Sequence, residues 1–247
     1  MLYTFFRLVD EIVDQNLGED EQEVKAELES WKNVWEQEYN YQEKKHPVLS
    51  ATVDVFKKYN IPKDYAAVFF DAMAKDTYKK RYQTYKELEE YMYGSAAVVG
   101  LMLCHIIGFK DNKALYYATK MGYAMQLTNF LRDIGEDVVL RDRIYLPLEE
   151  LAQFNISEED IVEQKINENF TNLMKFQIKR SWELYKEAEQ GLLLLDSQGR
   201  FAIKVASRIY SEILKKIEKN NYNVFSNRAH TKLWEKFFIL VRCFIQR

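Results

Sequence analysis

Residues 126–147 read QLTNFLRDIGEDVVLRDRIYLP. In this stretch Asn129, Asp133 and Asp137 recur every four residues, so an α-helix places their side chains on one face, a turn apart. Apolar residues surround them: Met125, Leu127, Phe130, Leu131 and Ile134. The spacing predicts a helix that carries a polar stripe within an apolar setting.

The rest of the chain also favours helices. It has 247 residues, of which only 8 are Gly and 3 are Pro, and 47% are hydrophobic. We therefore expect an all-α fold and a single domain over residues 1–247. Apolar residues spaced by three and four predict helices near Leu2–Gln15, Glu19–Tyr41, Val48–Tyr59, Lys63–Tyr78, Tyr85–Ile107, Asn112–Val139, Ile166–Leu195, Phe201–Asn220 and His230–Gln246.

A second carboxylate stripe lies in the first predicted helix. Asp10 and Asp14 are four residues apart, and Tyr3 and Arg7 continue the same face. The other residues are so apolar that we expect this helix to be buried nearly all round, where ionised carboxylates need a cation or another partner. Two such stripes in one helical domain predict a shared cavity.

Carboxylate and amide oxygens are the ligands that Mg²⁺ prefers, and this ion completes its shell with water and substrate phosphate. Facing stripes could thus hold ions that stabilise a leaving diphosphate, and Arg7, Arg132 and Arg143 could contact its oxygens. The alternative for each stripe is an ordinary surface ion pair, because acids at this spacing are common on helices.

Composition argues against other classes of function. The net charge is −3 with interspersed signs, so we expect no nucleic-acid partner. Cys104 and Cys243 lie in apolar helical surroundings and are predicted to be buried thiols in a reducing compartment.

The charged opening residues do not look like a signal peptide, and the longest apolar run, 96–108, is shorter than the roughly 20 residues of a membrane span. The expected location is the cytoplasm, with peripheral membrane contact as an alternative.

That alternative depends on the last predicted helix. It has an apolar stripe, which we interpret first as the core-facing side of a terminal helix and second as a membrane-docking face. The stripe consists of Leu233, Trp234, Phe237, Phe238, Val241, Phe244 and Ile245.

Three motifs together resemble one enzyme family. Residues 126–147 are similar to the second aspartate-rich signature of the squalene/phytoene synthases. Residues 3–14, YTFFRLVDEIVD, resemble the first signature, and residues 89–100, EEYMYGSAAVVG, resemble the helix between them. Residues 208–210 and 221–228 extend the likeness, which covers essentially the whole chain.

The resemblance implies an isoprenoid-synthase helical bundle with a central diphosphate and prenyl cavity. Such enzymes use Mg²⁺ to ionise an allylic diphosphate, such as farnesyl or geranylgeranyl diphosphate, and join two of them head to head; NADPH is needed only for a reductive, squalene-type step. By motif match the catalytic and metal-binding residues are Asp10, Asp14, Asn129, Asp133 and Asp137. The implied substrate-binding residues are Tyr3, Arg7, Tyr91, Ala96, Val99, Gln126, Arg132, Arg143, Tyr145, Tyr210 and Arg228.

One departure from the family affects the expected product. Family members carry an anchoring helix before the first signature, whereas here Asp10 is almost at the first residue. A cavity without this cover would admit water, which would capture the allylic cation. We therefore expect hydrolysis of farnesyl diphosphate to farnesol. The alternatives are head-to-head condensation, a helical scaffold without activity, and a natural N-terminus that this sequence lacks; the oligomeric state stays open.

Overall fold

The structure is a computed structural model that describes residues 1–15, 21–41 and 44–245, with side chains described up to Val13 in the first range. These residues form two compact units, Met1–Lys79 and Lys80–Arg247. The expected single domain stays a prediction, because a division into compact units does not say whether either unit folds alone.

The described residues of the first unit form four helices. They are α1 Leu2–Gln15, α2 Glu21–Tyr41, α3 Pro47–Lys58 and α4 Asp64–Tyr78. Their core is aromatic: the Phe5 ring lies 5.9 Å from Trp35 and 5.6 Å from Phe70, and Trp35 lies 4.8 Å from Phe56. Edge contacts between such rings add to the burial of their area.

Helix α1 is amphipathic, so the expectation that it is buried nearly all round is wrong. Phe5 and Val9 are fully buried, whereas Tyr3 is 76% exposed. One apolar stripe suffices to attach a helix to a core, and the opposite face carries the charges.

The second unit contains the remaining helices, joined by short turns. They are α5 Tyr85–Met92, α6 Val98–Ile107, α7 Lys113–Arg141, α8 Leu148–Gln153, α9 Glu158–Val162, α10 Glu168–Glu189, α11 Ser197–Lys219 and α12 Leu233–Ile245. A π-helical turn, Tyr93–Ala97, joins α5 to α6, and a 3₁₀ turn, Gln190–Leu194, follows α10. The sequence did not predict the π turn or the short helices α8 and α9.

Helix α7 is the long central helix of this unit and packs on α6, α10 and α11. Gly122 of α7 and Gly100 of α6 permit a close approach between α7 and the segment formed by the π turn and α6. A Cβ atom at Gly122 would lie 2.7 Å from the Ala97 Cα atom, and one at Gly100 would lie 3.1 Å from the Ala118 carbonyl oxygen. On the other side, the hydroxyls of Thr128 and Tyr185 are hydrogen-bonded at 3.1 Å. These contacts fix the position of α7 relative to its neighbours, because a close-packed interior leaves little room for a helix to shift.

The segment Tyr85–Ile107 forms one helical rod across the π turn. By length and composition it is, among the described residues, the single helix that could cross a membrane, and 44% of its most apolar window is buried inside the protein. This is weak evidence for a membrane span, because a buried core helix meets the same criterion.

The last helix, α12, contradicts the favoured prediction of core packing. Its predicted stripe faces solvent: Leu233 is 84% exposed, Phe237 is 61% exposed and Ile245 is 78% exposed. The residues that face α11 are instead Glu235, Ile239 and Cys243, spaced by four. Cys243 and Cys104 are buried free thiols, as predicted.

Candidate active site

A cavity of about 300 Å³ lies in the second unit beside α7. The walls are mostly apolar and come from the Tyr85–Ile107 rod, from α7, and from the end of α10, the 3₁₀ turn and α11. The wall residues of the rod are Ser95, Ala96, Val99, Gly100, Leu103, Cys104 and Ile107, and those of α7 are Ala114, Tyr117, Ala118, Met121, Gly122, Met125, Gln126 and Asn129. A mostly apolar cavity with a few polar groups is typical of a ligand site.

Small side chains make room for this cavity. Ala114, Ala118 and Gly122 recur every four residues on α7, so they form one stripe along the helix. Ala96 and Val99, both predicted as substrate-binding, lie in the facing wall where the π turn ends. A π turn shifts the register of the side chains that follow it, and such turns are frequent at functional sites.

Polar atoms gather at one end of the cavity. Gln126, Asn129 and Tyr210 line it there, and the Asn129 amide donates to the Gln126 side-chain oxygen at 3.4 Å. The Oδ1 atom of Asn129 is buried and has no hydrogen-bond partner among the described residues, and the same is true of the Ser95 hydroxyl. Buried polar atoms without a partner are costly, so each is suited to bind a ligand or water.

Asp133, one turn beyond Asn129, is held by two guanidinium groups. Arg132 donates to its two oxygens at 2.7 and 2.5 Å, and Arg228 donates to the same oxygens at 2.7 and 3.0 Å. Burial disfavours the ionised carboxylate, but these hydrogen bonds outweigh burial, and the pKa of Asp133 lies below its ordinary value. The result is a fixed negative group beside two cations that are suited to diphosphate oxygens.

Gly135 explains how Arg228 reaches Asp133. A Cβ atom at Gly135 would lie 3.0 Å from the Phe225 Cα atom and 3.2 Å from the Val224 carbonyl oxygen. The absence of a side chain at Gly135 therefore lets this segment approach α7 closely.

Asp137 lies another turn along α7 and is almost fully buried. Burial, followed by the negative charge of Asp133, raises the pKa of Asp137 to about 7. The nearest cation is Arg141, whose Nη1 atom is 3.5 Å from Asp137 Oδ1. This carboxyl group is suited to bind a further cation, because a cation would stabilise its ionised form against both burial and the negative charge of Asp133.

The predicted residues Tyr91, Arg143 and Tyr145 lie in a buried cluster instead of the cavity wall. Tyr145 stacks on Phe130 with the ring centroids 3.9 Å apart, and Tyr91 lies 5.7 Å from Tyr145. Buried Arg143 donates to the Tyr145 hydroxyl at 2.8 Å. Through Phe130, the cluster packs against the part of α7 that carries the aspartates.

The α1 motif belongs to the first unit and has different surroundings. Arg7 donates to Asp10 at 3.0 Å and to Glu11 at 2.8 Å, and all three side chains are close to half exposed. Tyr3 lies on the exposed side of α1, and the Asp14 side chain is outside the described residues. The pairing of this stripe with the α7 stripe across one cavity stays a prediction.

The α7 oxygens fit a divalent cation by their chemistry. In the described ranges, no group of three or more His, Cys, Asp and Glu side chains could hold a metal ion. Mg²⁺ does not require such a group, because it binds one or two carboxylates and fills its remaining positions with water and phosphate. The unpartnered Oδ1 atom of Asn129, with Asp133 and Asp137 on the same face, is a donor set of this kind.

Comparisons with known proteins identify the family. The sequence profile named squalene/phytoene synthase matches residues 1–235. The chain belongs to this family. It is therefore an enzyme of the prenyl transferase class with the isoprenoid-synthase fold, as the motifs implied.

Individual relatives agree with this assignment. A phytoene synthase of Arthrospira platensis is 34% identical over 97% of this chain and 80% of its own length. A 15-cis-phytoene synthase of Synechocystis is 41% identical over 67% of this chain, and the match spans about half of that protein, 52%. A solved dehydrosqualene synthase has a TM-score of 0.89 at 28% identity over 99% of this chain and 84% of its own. Squalene synthase HpnC from Alicyclobacillus acidocaldarius, at 24% identity over 90% of this chain and 82% of its own, has a TM-score of 0.83 and shows the fold alone.

Sequence reasoning missed part of the site. The far end of the cavity and Gly135 were not predicted, and neither was the pairing of Arg228 with Glu136 at 3.5 Å. The repeat of Ala114, Ala118 and Gly122 was a visible signal for the cavity wall on α7. Nothing local in the sequence indicates that Arg228 and Asp133, 95 residues apart, are in contact.

Proposed function

We propose that this protein condenses two prenyl diphosphates head to head, with geranylgeranyl diphosphate as the favoured substrate. The single observation that supports this best is the apolar cavity that ends at the oxygen stripe of Asn129 and Asp133 on α7. The names of the phytoene synthase relatives also favour condensation over the hydrolysis that the sequence suggested.

The length of the cavity wall supports a long prenyl chain. The α7 wall runs from Asn129 to Ala114, which is about 22 Å at 1.5 Å per residue. An extended carbon chain advances roughly 1.2 Å per bond, by comparison with the peptide backbone, so the tail of geranylgeranyl is about 18 Å long and that of farnesyl about 13 Å. The wall is long enough for either, and the longer tail extends about 5 Å further along it than the shorter one.

In the proposed reaction, the carbon–oxygen bond of one allylic diphosphate breaks and its electron pair leaves with the diphosphate. The double bond of the second prenyl chain supplies the electrons of the new carbon–carbon bond, and a proton is lost as a cyclopropane ring closes. Mg²⁺, when bound, draws negative charge away from the leaving group. Asn129, Asp133 and Asp137 of α7 would hold it.

The protein's own side chains contribute binding and exclusion of water. Arg132 and Arg228 are placed to donate to diphosphate oxygens, and Asp133 keeps both guanidinium groups oriented. The apolar walls exclude water from the allylic cation, which would otherwise be captured as an alcohol.

The test is product analysis with purified protein, Mg²⁺ and either geranylgeranyl or farnesyl diphosphate. We expect a hydrocarbon or a cyclopropyl diphosphate that contains two prenyl units, formed faster from the longer substrate. A prenyl alcohol as the main product from both substrates would overturn condensation and restore the hydrolysis hypothesis. Addition of NADPH tests separately for a reductive step.

The length argument has its own experiment. Ala118 lies about 16 Å from Asn129 along the wall at 1.5 Å per residue, between the two tail lengths, so Ala118→Leu shortens the space available to the longer tail. We expect kcat/KM to fall at least tenfold for geranylgeranyl diphosphate and by less than threefold for farnesyl diphosphate. Met125→Trp, near the polar end, is the matched variant and should lower kcat/KM for both. Equal losses for both substrates in Ala118→Leu would contradict the length argument while leaving condensation intact.

A further inference from the structure

Helix α12 has its charged and apolar faces in an unusual arrangement. The one acid on this helix, Glu235, turns inward and accepts two hydrogen bonds of 2.7 Å from Lys216 of α11. The solvent-exposed side carries only apolar residues, and we call it the outward face. It comprises Trp234, Phe237, Phe238, Val241, Phe244 and Ile245. The Phe244 ring at its end also contacts Phe201 of α11, with the ring centroids 6.4 Å apart.

The outward face is larger than a surface helix normally leaves in water. Trp234, Phe237, Phe238 and Phe244 are 59, 61, 64 and 62% exposed. At 150–250 Å² per aromatic side chain, these four rings alone expose roughly 400–600 Å². The aliphatic residues add to this area, whereas the largest apolar patch of a typical monomer is about 300–600 Å² in total. A continuous patch of this size marks a binding surface.

The charges beside the face indicate what it binds. Among the described residues, the exposed charged side chains of α12 and of the residue before it are all cationic: Lys232, Lys236 and Arg242. Lys236 and Arg242 lie on the two flanks between the outward face and the seam with α11. Aromatic and aliphatic residues on one side, bordered by Lys and Arg, are the pattern of a helix that lies in the surface of an anionic bilayer.

A second copy of the chain fits these charges less well. A two-fold symmetric pair packed through α12 would place the same flanking cations of both copies around one apolar interface. No exposed acid of α12 is available, in the described residues, to neutralise them, because Glu235 is engaged by Lys216. An anionic lipid surface supplies the missing negative charge.

We propose that α12 docks this protein on anionic lipid bilayers by inserting its outward face among the lipids. The helix lies in the plane of the membrane surface, with Lys236 and Arg242 at the headgroups. The docking does not depend on which product the enzyme forms. It would, however, bring a prenyl-diphosphate enzyme to the lipid phase in which prenyl chains dissolve.

The experiment is vesicle co-sedimentation of the full chain with phosphatidylglycerol/phosphatidylcholine vesicles and with phosphatidylcholine vesicles alone. We expect binding that is at least tenfold stronger to the anionic vesicles and weaker at high salt. The double variant Phe237→Glu/Val241→Glu should lose at least tenfold in affinity. The double variant Lys236→Glu/Arg242→Glu should lose binding to anionic vesicles selectively.

Leu193→Glu is the matched control, because Leu193 is 71% exposed but lies in the 3₁₀ turn, outside α12. It should bind vesicles like the wild type. Circular dichroism melting establishes that each variant is folded, and the lipid selectivity of the wild type tests the proposal even if a variant unfolds. Absence of wild-type binding, binding that Phe237→Glu/Val241→Glu leaves unchanged, or a dimer in light scattering that this variant dissociates would each overturn the proposal.

Discussion

The two aspartate motifs of this protein look alike in sequence and differ in their surroundings. Asp10 on α1 is close to half exposed and shares Arg7 with Glu11. Asp133 on α7 is mostly buried and holds Arg132 and Arg228 by paired hydrogen bonds. The same i, i+4 spacing thus produces a surface ion pair in one unit and a preorganised charged site in the other. Spacing defines a face, and packing decides what that face meets.

The largest expected effect is on catalysis. Asp133→Asn and Asp137→Asn each remove a negative oxygen from the α7 stripe, and we expect diphosphate release to fall at least 100-fold, the order of loss seen when one preorganised electrostatic group is removed. Asp10→Asn should cause a comparable loss if the exposed motif is also catalytic, as the family resemblance implies. Steady-state release of diphosphate measures all three. Wild-type rates in the two α7 variants would contradict the proposed site.

Glu11→Gln is the control for Asp10→Asn. Both carboxylates accept a hydrogen bond from Arg7 and have nearly the same exposure. If activity requires Asp10 itself, Asp10→Asn is inactive and Glu11→Gln retains activity within about threefold. Equal losses would indicate that the ion pairs of Arg7 matter, and not a specific role of Asp10.

The two motifs should differ in their effect on stability, because the ion pairs of Asp133 are more buried than that of Asp10. Asp133→Ala leaves two guanidinium groups without their carboxylate, and we expect the free energy of unfolding to fall by about 1–3 kcal/mol. Asp10→Ala removes an exposed pair, so its effect should stay within about 0.5 kcal/mol. Urea unfolding of both variants without added metal measures the difference. Similar values would show that the burial of Asp133 does not make its ion pairs stronger.

A smaller change tests the approach of Arg228 to α7. Gly135→Ala places a methyl group against the Phe225 backbone, so we expect Arg228 to move away and the pKa of Asp133 to rise towards 3.8. Gly100→Ala is the matched variant, since its Cβ atom meets the Ala118 carbonyl at 3.1 Å, away from Asp133. Carboxyl ¹³C titration by NMR should show a shift for Gly135→Ala alone. Each variant should lose about 1 kcal/mol or somewhat more in stability.

The smallest effect belongs to a carboxylate outside both motifs. Hydrogen bonds from Ser157 and Lys165 lower the pKa of partly exposed Asp160 from 3.8 to about 2. A lowered folded-state pKa stabilises the fold above the unfolded value, and this contribution is lost as the pH falls from 3.8 towards 2. The stability difference between the wild type and Asp160→Asn should shrink over that interval in acid titrations. A difference that is constant down to pH 2 would exclude this linkage.

Much of the fold was predictable because helices are local. Apolar spacing predicted most of the long helices to within a few residues, including α7, and the low Gly and Pro content left few other choices. The short helices α8 and α9 escaped prediction because one or two turns carry too little periodicity. The π turn at Tyr93–Ala97, which packs against α7, was not predicted either.

The family motifs named several residues that line the cavity, whereas placements that depend on contacts between distant segments were not predicted. Ala96, Val99, Gln126 and Tyr210, which the family resemblance assigned to substrate binding, line the cavity, and so does Asn129, which it assigned to the metal; these roles stay predictions. Tyr91 was placed in the same set, yet it lies in the aromatic cluster because its helix presents it to Tyr145 instead of the cavity. The exposed face of α12 was misread since its stripe is what a core-facing helix would also show.

The sequence by itself determined the helical class, the two carboxylate stripes and the family, because these depend on residue identity and on spacing along one helix. Tertiary structure alone decided that Asp133 meets Arg228, that small residues on α6 and α7 enclose a cavity, and that α12 turns its apolar face to solvent. The physical reason is that burial, and the pKa shifts and ion pairs that follow from it, depends on which distant segments pack together. A periodic pattern specifies one face of a helix but leaves its partner unspecified.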